Sequence, residues 1–337
     1  MGAVGSTLFT LVDAAKEHGP DGKQMRMANL LTQKNEILLD MVVREGNLPT
    51  GERALQQTGL PTSYYRLINQ GVPNSKDTSV QVDFHCGILE ARTQVDKVTA
   101  EMNGDLAAFR FRRAKPQIEG LNQKTANTLI YGTAANPEEF IGLASYYNAI
   151  AGADNADNLV DAGGVGSDNT SIYLVGWGED TICGIYPKSS KAGLQHEDLG
   201  LGDAFDSNNY RFRAYLDWWS WHFGLAVIDW RYCVRICNID VSELRAGTAA
   251  AADLVSLMST AIDIIPSFGD CRPAFYCNRL VRSKLRSQAM DAKKGSALTI
   301  PEAAKQFGNP VRPGDLNFLE IPVRLVDKIT NAEARVV

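Results

Sequence analysis

The sequence predicts an α+β fold. Two stretches carry the apolar period of amphipathic helices, at about 24–45 and from Asp105 to Tyr131, while the middle of the chain alternates apolar and polar residues as strands do. A third stretch, 49–85, has Gly and Pro at short intervals and few apolar residues, so it reads as an excursion from the core.

The first helix is predicted from Leu30, Leu31, Ile37, Leu38, Met41 and Val42, which fall on one stripe; it ends at Gly46-Asn47, ahead of Pro49. Residues 49–85 close with Val80, Val82 and Phe84 alternating with polar residues, which predicts a long irregular hairpin. An isolated two-stranded ribbon is marginal in water, so such an arm needs a partner surface. From Asp105 the pattern is helical again, and Pro116 predicts a kink or a restart, the second part being roughly 16 residues or about 24 Å long. Asn136-Pro137-Glu138-Glu139 then reads as an N-cap, a Pro at the first helical position and two acids matched to the helix dipole. That accounts for the paired carboxylates without acid–base chemistry.

SIYLVGW and TICGIY flank Gly178-Glu179-Asp180, a hairpin signal, and YRFRAYLDWW and GLAVIDWRYCVRICNI continue the strands. Leu254, Leu257, Met258, Ala261, Ile262 and Ile265 mark a helix stopped by Pro266. A further helix opens near Asn278. Its Arg279, Arg282, Lys284 and Arg286 read first as a solvated or subunit-facing surface and only second as a phosphate contact. The chain closes with FLEIPVRLVDKI, a strand that Pro322 places at an edge.

A length of 337 residues suggests about two domains. The net charge of −5 argues against a generally basic nucleic-acid binder and gives no reason to expect an anionic membrane. Hydrophobic content of 45% with 22% charged residues describes a folded soluble protein and excludes disordered or collagen-like classes. No run of 18 apolar residues is present, and the N-terminus lacks the positive region of a secretory signal. Met1-Gly2 followed by Ser6 fits the N-myristoylation pattern, which is short enough to arise by chance. Only 4 His leave little material for proton-transfer or metal chemistry.

Six cysteines are too sparse for a disulfide scaffold. Cys233 and Cys237 lie on one strand, four residues and therefore ~13 Å apart, too far to share a zinc or a disulfide. Buried free thiols are the expectation. Gly163-Gly164-Val165-Gly166 lacks the Gly-Lys-Ser/Thr of a phosphate loop, and no nucleophile elbow, H-E-x-x-H, paired C-x-x-C or calcium loop occurs. His85 and Cys86, being adjacent, point to opposite faces of a strand. The sequence thus offers no catalytic, cofactor-binding or metal-ligating set. Four of the five Trp fall at 218, 219, 221 and 230, and two readings follow. They fill a core or subunit interface; alternatively, an α/β hydrolase-like or carbohydrate-binding protein uses Trp218 or Trp221 to line a pocket beside the Gly163–Gly166 loop.

EGNLPTGERALQQTGLPTSYYRLINQGV, TLIYGTAANPEEFIGLASYYN, SIYLVGWGEDTICGIYPKSSKAGLQHEDLG and WRYCVRICNID resemble the major capsid proteins of short-tailed bacteriophages. The resemblance implies the Hong Kong 97 type of capsid fold. On that basis residues 1–48 correspond to the N-terminal arm, 49–85 to the extended loop and 105–131 to the spine helix, which Pro116 is expected to bend or shorten. Residues 86–150 with 311–337 correspond to the peripheral domain and 151–310 to the axial domain. The implied function is a non-enzymatic shell subunit forming pentamers and hexamers around dsDNA, which it holds without sequence preference. Portal, scaffolding and cementing proteins are the further partners it implies; no cofactor and no membrane are involved. Leu38 and Met41 in the arm and Leu55, Leu60, Tyr64 and Tyr65 in the loop are the expected contacts between subunits.

Overall fold

The computed structural model describes residues 32–102, 106–205, 208–247, 251–290, 298–299 and 316–337. The Met1–Ser6 pattern, Leu30 and Leu31 lie outside the described residues, as does most of 291–315. The first elements are α1 (Ile37–Asp40), β1 (Val43–Glu45), β2 (Gly51–Gly59), β3 (Thr78–Asp96), α2 (Lys97–Met102), α3 (Leu106–Tyr131) and α4 (Leu143–Tyr146). The strands β4 (Leu159–Asp161), β5 (Asn169–Trp177), β6 (Ile182–Tyr186), β7 (Gln195–Phe205), β8 (Arg211–Val227) and β9 (Cys233–Asp240) follow. The chain ends with α5 (Val241–Ala246), α6 (Leu254–Ile264), β10 (Arg272–Cys277), α7 (Arg279–Met290), β11 (Leu298–Thr299), β12 (Leu316–Phe318) and β13 (Ile321–Leu325). The α+β expectation holds.

Two compact units divide these elements. One contains Ile88–Thr125 and Lys191–His222; the other contains Lys34–Gly87, Ala126–Ser190 and Phe223–Val337. In the first, β7 and β8 pair antiparallel from Gln195↔Ser220 to Phe205↔Arg211, with a bulge between Asp198 and Gly200. Tyr215 of β8 packs with Leu106 against a core of Val95, Ala100 and Phe109. That packing puts 191–222 in one unit with α3 as far as Thr125, whereas the sequence reading grouped it with 151–310. Arg110 on α3 donates to both oxygens of Asp198, at 2.8 and 2.5 Å, and to Asp217 at 2.7 Å.

In the second unit β5 is the central strand, antiparallel to β9 on one side and to β10 on the other. Every residue of β5 is buried, which explains why SIYLVGW has no polar face. Because both its edges are taken, β5 cannot form the predicted hairpin with β6. The two touch only through a parallel bridge at Trp177↔Ile182, and β6 instead pairs antiparallel with β8 and parallel with β1. The C-terminal segment is held by Arg235 of β9, whose guanidinium meets the Glu333 carboxylate at 2.9 Å.

Four further expectations are corrected. The helix predicted over 24–45 is, within the described residues, the single turn α1; Val43–Glu45 leave it to pair with β6, so tertiary pairing overrides the helical period. The Asn136-Pro137-Glu138-Glu139 segment is a pair of turns, not a helix start: Asn136 N–H bonds Thr133 O at 3.2 Å and Glu139 N–H bonds Asn136 O at 3.0 Å. Gly142 N–H reaches back to Gly132 O at 3.0 Å, closing that loop so that the helix opens only at Leu143. α3 runs unbroken for 26 residues through Pro116 rather than restarting there; Pro116 is exposed, where water can satisfy the carbonyl it frees.

The final strand is two strands, turned at Leu319 and Glu320, both at positive φ of 46° and 69° as a two-residue hairpin turn requires. β13 lies between β12 and β10 and so is not an edge. Pro322 is tolerated because β10 joins only from Val323, opposite Phe275, after the missing N–H. The helices expected before Pro266 and after Asn278 are present as α6 and α7, and the Asn278 side chain accepts from Val281 N–H at 2.9 Å to cap the second.

Candidate subunit-contact surface

β2 and β3 form a hairpin from Gly51↔His85 to Gly59↔Thr78, and its root is closely built. Gly51 has φ of 153°, and a Cβ there would lie 2.0 Å from Phe84 O. Glu52 is buried and pairs with Arg44. Arg53 meets Asp83 directly across the strands, Nε to Oδ1 at 2.6 Å, which holds the Asp83 carboxyl below its ordinary range. Further out, Gln56 Nε2 donates to Val227 O at 3.0 Å and to Ile228 O at 2.8 Å. Two clefts of about 580 Å³ each flank this contact. One is lined by Val80, Val82 and Phe84 with Tyr146 and Trp230, the other by Leu55 and Leu60 with Asp180, Asp229 and Arg231.

Beyond Gly59 the chain has no regular element until Thr78. Ser75 Oγ to Thr62 O at 2.8 Å and Arg66 Nη1 to Gln70 O at 3.2 Å shape the loop, and Asn69 turns it at φ of 69°. Its apolar side chains face solvent. Of the predicted contact residues, Leu55, Leu60, Tyr64 and Tyr65 all lie exposed on this hairpin, Tyr65 completely so at 109%. Leu38 is half-buried on α1, and Met41 is buried in its own subunit, its sulfur 3.0 Å from where a Gly184 Cβ would stand. Leu67, Ile68 and Leu39 are equally exposed and were missed. The run Tyr64-Tyr65-Arg66-Leu67-Ile68 was the available signal, four apolar residues of five in a segment with no core to enter. An exposed apolar cluster of this kind marks an interaction surface.

Among the described residues the alternative site has no support. Neither cleft is lined by Trp218 or Trp221, while Trp219 is buried with His196 stacked on it at 4.0 Å. The Gly163–Gly166 loop is sewn to β9: Gly164 N–H bonds Asn238 O at 2.8 Å, and a Cβ at Gly164 would lie 2.5 Å from that oxygen. Burial pushes the Cys86 thiol up to about 12 and Cys237 to about 11, so neither is a thiolate at neutral pH. Cys233 and Cys277 are fully buried, and the same cause raises both of their thiols. No group of three or more His, Cys, Asp and Glu suited to a metal occurs among the described residues. On α7, Arg279 is tied to Asp327 at 2.6 Å and Lys284 Nζ to Arg245 O at 3.0 Å, which favours the surface reading over a phosphate site. No described helix is long and apolar enough to cross a membrane.

A solved structure of bacteriophage epsilon15 is similar to this chain at 33% identity, covering 100% of it and 99% of the epsilon15 chain, with a TM-score of 0.75. A bacteriophage JBD30 capsid chain aligns at 9% identity over 90% of this chain and 93% of its own, with a TM-score of 0.49. A search of curated proteins found no match. The mixed sheet, the 26-residue helix and the projecting hairpin with its solvent-facing apolar tip are those of a Hong Kong 97 type capsid subunit, a protein whose work is done by its surfaces. The family model for Major capsid protein GP7 matches residues 19–337, and the chain belongs to that family. Its place is the capsid shell of a phage virion, where copies of it associate into capsomers.

Proposed function

We propose that this chain builds pentamers and hexamers of an icosahedral shell around dsDNA, with the β2–β3 hairpin as its extended loop. The observation that carries this reading is the unpartnered apolar tip, Leu60, Tyr64, Tyr65, Leu67 and Ile68, on a hairpin that its own subunit holds only near the root. A neighbouring subunit supplies the missing surface. Residues 1–48 act as the N-terminal arm and α3 as the spine helix. The unit of 88–125 with 191–222 forms the body of the peripheral domain, and the sheet around β5 with α6 and α7 forms the axial domain. This differs from the sequence-based boundaries by moving 191–222 to the peripheral side and 126–150, with the described part of 311–337, to the axial side.

The shell performs no catalytic step; many weak, repeated contacts add up to its stability. A net charge of −5 suits a wall that encloses nucleic acid without gripping it, since strong attraction would stall packaging. Portal, scaffolding and cementing proteins are its partners in assembly. The test is to express the chain with and without a scaffold and examine it by gradient sedimentation and electron microscopy. Closed particles are expected; a strictly monomeric product under every assembly condition overturns the reading.

A further inference from the structure

We infer that residues 24–31 fold back onto α3 of their own subunit, where Met27, Leu30 and Leu31 cover the exposed side chains of Phe111 and Ile118. This rests on the arm reading above and divides the arm in two: a root docked on its own subunit and a free part, 1–23. The apolar stripe read from the sequence over 24–45 has two halves. Ile37 and Met41, in the described half, are buried. Met27, Leu30 and Leu31 continue the same spacing ahead of them, in residues outside the described set. Apolar side chains at that spacing need a surface to cover them.

Where the described chain begins tells which surface lies within reach. Gln33 N–H donates to Glu119 Oε1 on α3 at 3.0 Å, and Gln123 Nε2 donates to the same oxygen at 2.7 Å. Glu119 is the only acid on α3, so this anchor has no equivalent elsewhere on the helix. Gln33 belongs to the compact unit that holds α3 as far as Thr125, whereas Lys34 belongs to the other. Residues 24–31 therefore run out from the surface of α3.

That surface is apolar and open. Phe111 is 62% exposed, and Ile118, the residue next to the anchor, is 38% exposed. Ala107, Phe111, Lys115 and Ile118 follow one another at steps of four, four and three residues and so share one helix face. Lys115 Nζ stands 5.0 Å from the centre of the Phe111 ring, a contact that steadies the ring without covering it. Phe111 and Ile118 are about 10 Å apart along the helix axis. From Gln33 back to Met27 the chain spans roughly 9 Å if helical and 20 Å if extended, so the apolar side chains reach along the whole face. Methionine, unbranched and adaptable, suits a face made of one ring and one branched chain. A segment tethered this closely meets it at an effective concentration on the order of millimolar, which favours the subunit's own α3 over a neighbour's.

The experiment puts a benzophenone-bearing amino acid at position 111, one aromatic for another. Equal amounts of 15N-labelled and unlabelled full-length chains are mixed and irradiated, and the cross-linked peptides are mapped by mass spectrometry. Cross-links into residues 24–31 are expected, both halves carrying the same isotope. Mixed-isotope cross-links mean that another copy covers the face; these, cross-links to a different segment, or none at all overturn the inference. No particle has to form for this reading, so the shell reading is tested separately by its own assembly experiment. As a second arm, Phe111→Ser with Ile118→Ser removes only exposed side chains. Amide exchange in 24–31 should rise tenfold or more in that variant, while exchange in 51–59 and 172–177 stays as in the parent. Unchanged exchange in 24–31 overturns the inference.

Discussion

Arg235 and Glu333, 98 residues apart in sequence, form an ion pair buried on both sides, Nη2 to Oε2 at 2.9 Å. Every part of the guanidinium is used: Nε donates to Ser171 Oγ at 3.1 Å, and Nη1 donates to Tyr147 O at 2.7 Å and Ala144 O at 3.3 Å. Tyr131 donates to the other Glu333 oxygen, and its hydroxyl pKa is raised by burial and by that carboxylate. One cluster thus binds the C-terminal segment to β5, β9 and the end of α3. Removing either partner leaves a buried charge uncompensated, which costs about 3–5 kcal/mol. Denaturant unfolding of the unassembled chain should show that loss for Glu333→Ala. The double change Arg235→Met with Glu333→Leu should lose less than the sum of the singles; strict additivity would count against the coupling.

The hairpin root gives a second, smaller test. At Gly51 a Cβ would strike Phe84 O at 2.0 Å, so Gly51→Ala forces the two strands apart at the point where they leave the sheet. A loss of about 1–3 kcal/mol is expected, with faster amide exchange across 51–59 and 78–85. Gly71→Ala, with nothing within 4 Å of its would-be Cβ, should change neither.

How far the sequence could be read depended on where each segment's partners lie. The hairpin was legible because its own residues deny it a core, and α6 because its start and stop are local. β1 was not, since Val43–Glu45 read as the end of a helix until β6 is there to pair with them. The β5–β6 turn misled for the same reason: Gly178-Glu179-Asp180 has hairpin chemistry, and only the presence of β9 and β10 on both edges of β5 excludes a hairpin. Arg235 stands at an ordinary alternating position in the strand RYCVRICNI. Its partner stands 98 residues away, beyond the reach of any local pattern. Of the exposed run, the sequence reading names Tyr64 and Tyr65 but not Ile68, although all three face solvent together.

Acid should weaken the unit built on α3 and the β7–β8 hairpin. The Arg110 guanidinium, followed by Gly200 N–H, holds the Asp198 carboxyl below the ordinary carboxylate range. A group whose folded value is depressed contributes stability that is present above its unfolded value, about 3.9, and is lost as pH falls through the folded one. Amide exchange in 195–205 should therefore rise below about pH 4 in the parent chain. Asp198→Asn should flatten that dependence; an unchanged acid limb in the variant would place its origin elsewhere.

The apolar tip separates folding from assembly. Tyr65 and Ile68 are 109% and 90% exposed, and the loop that carries them is bounded by bonds to other atoms, Ser75 to Thr62 and Arg66 to Gln70. Replacing Tyr65 or Ile68 by Ser thus removes no packing from the isolated subunit, and stability should stay within about 0.5 kcal/mol of the parent. On the proposed reading the same side chains are buried against a neighbour in the shell, where an aromatic or aliphatic anchor is worth about 2 kcal/mol or more when truncated. That loss recurs at every contact of a closed particle. The double change Tyr65→Ser with Ile68→Ser should therefore leave melting unaltered while sedimentation shifts from particles to free subunits. A drop in melting temperature equal to the loss of assembly would mean that the tip packs within its own chain and that the surface lies elsewhere.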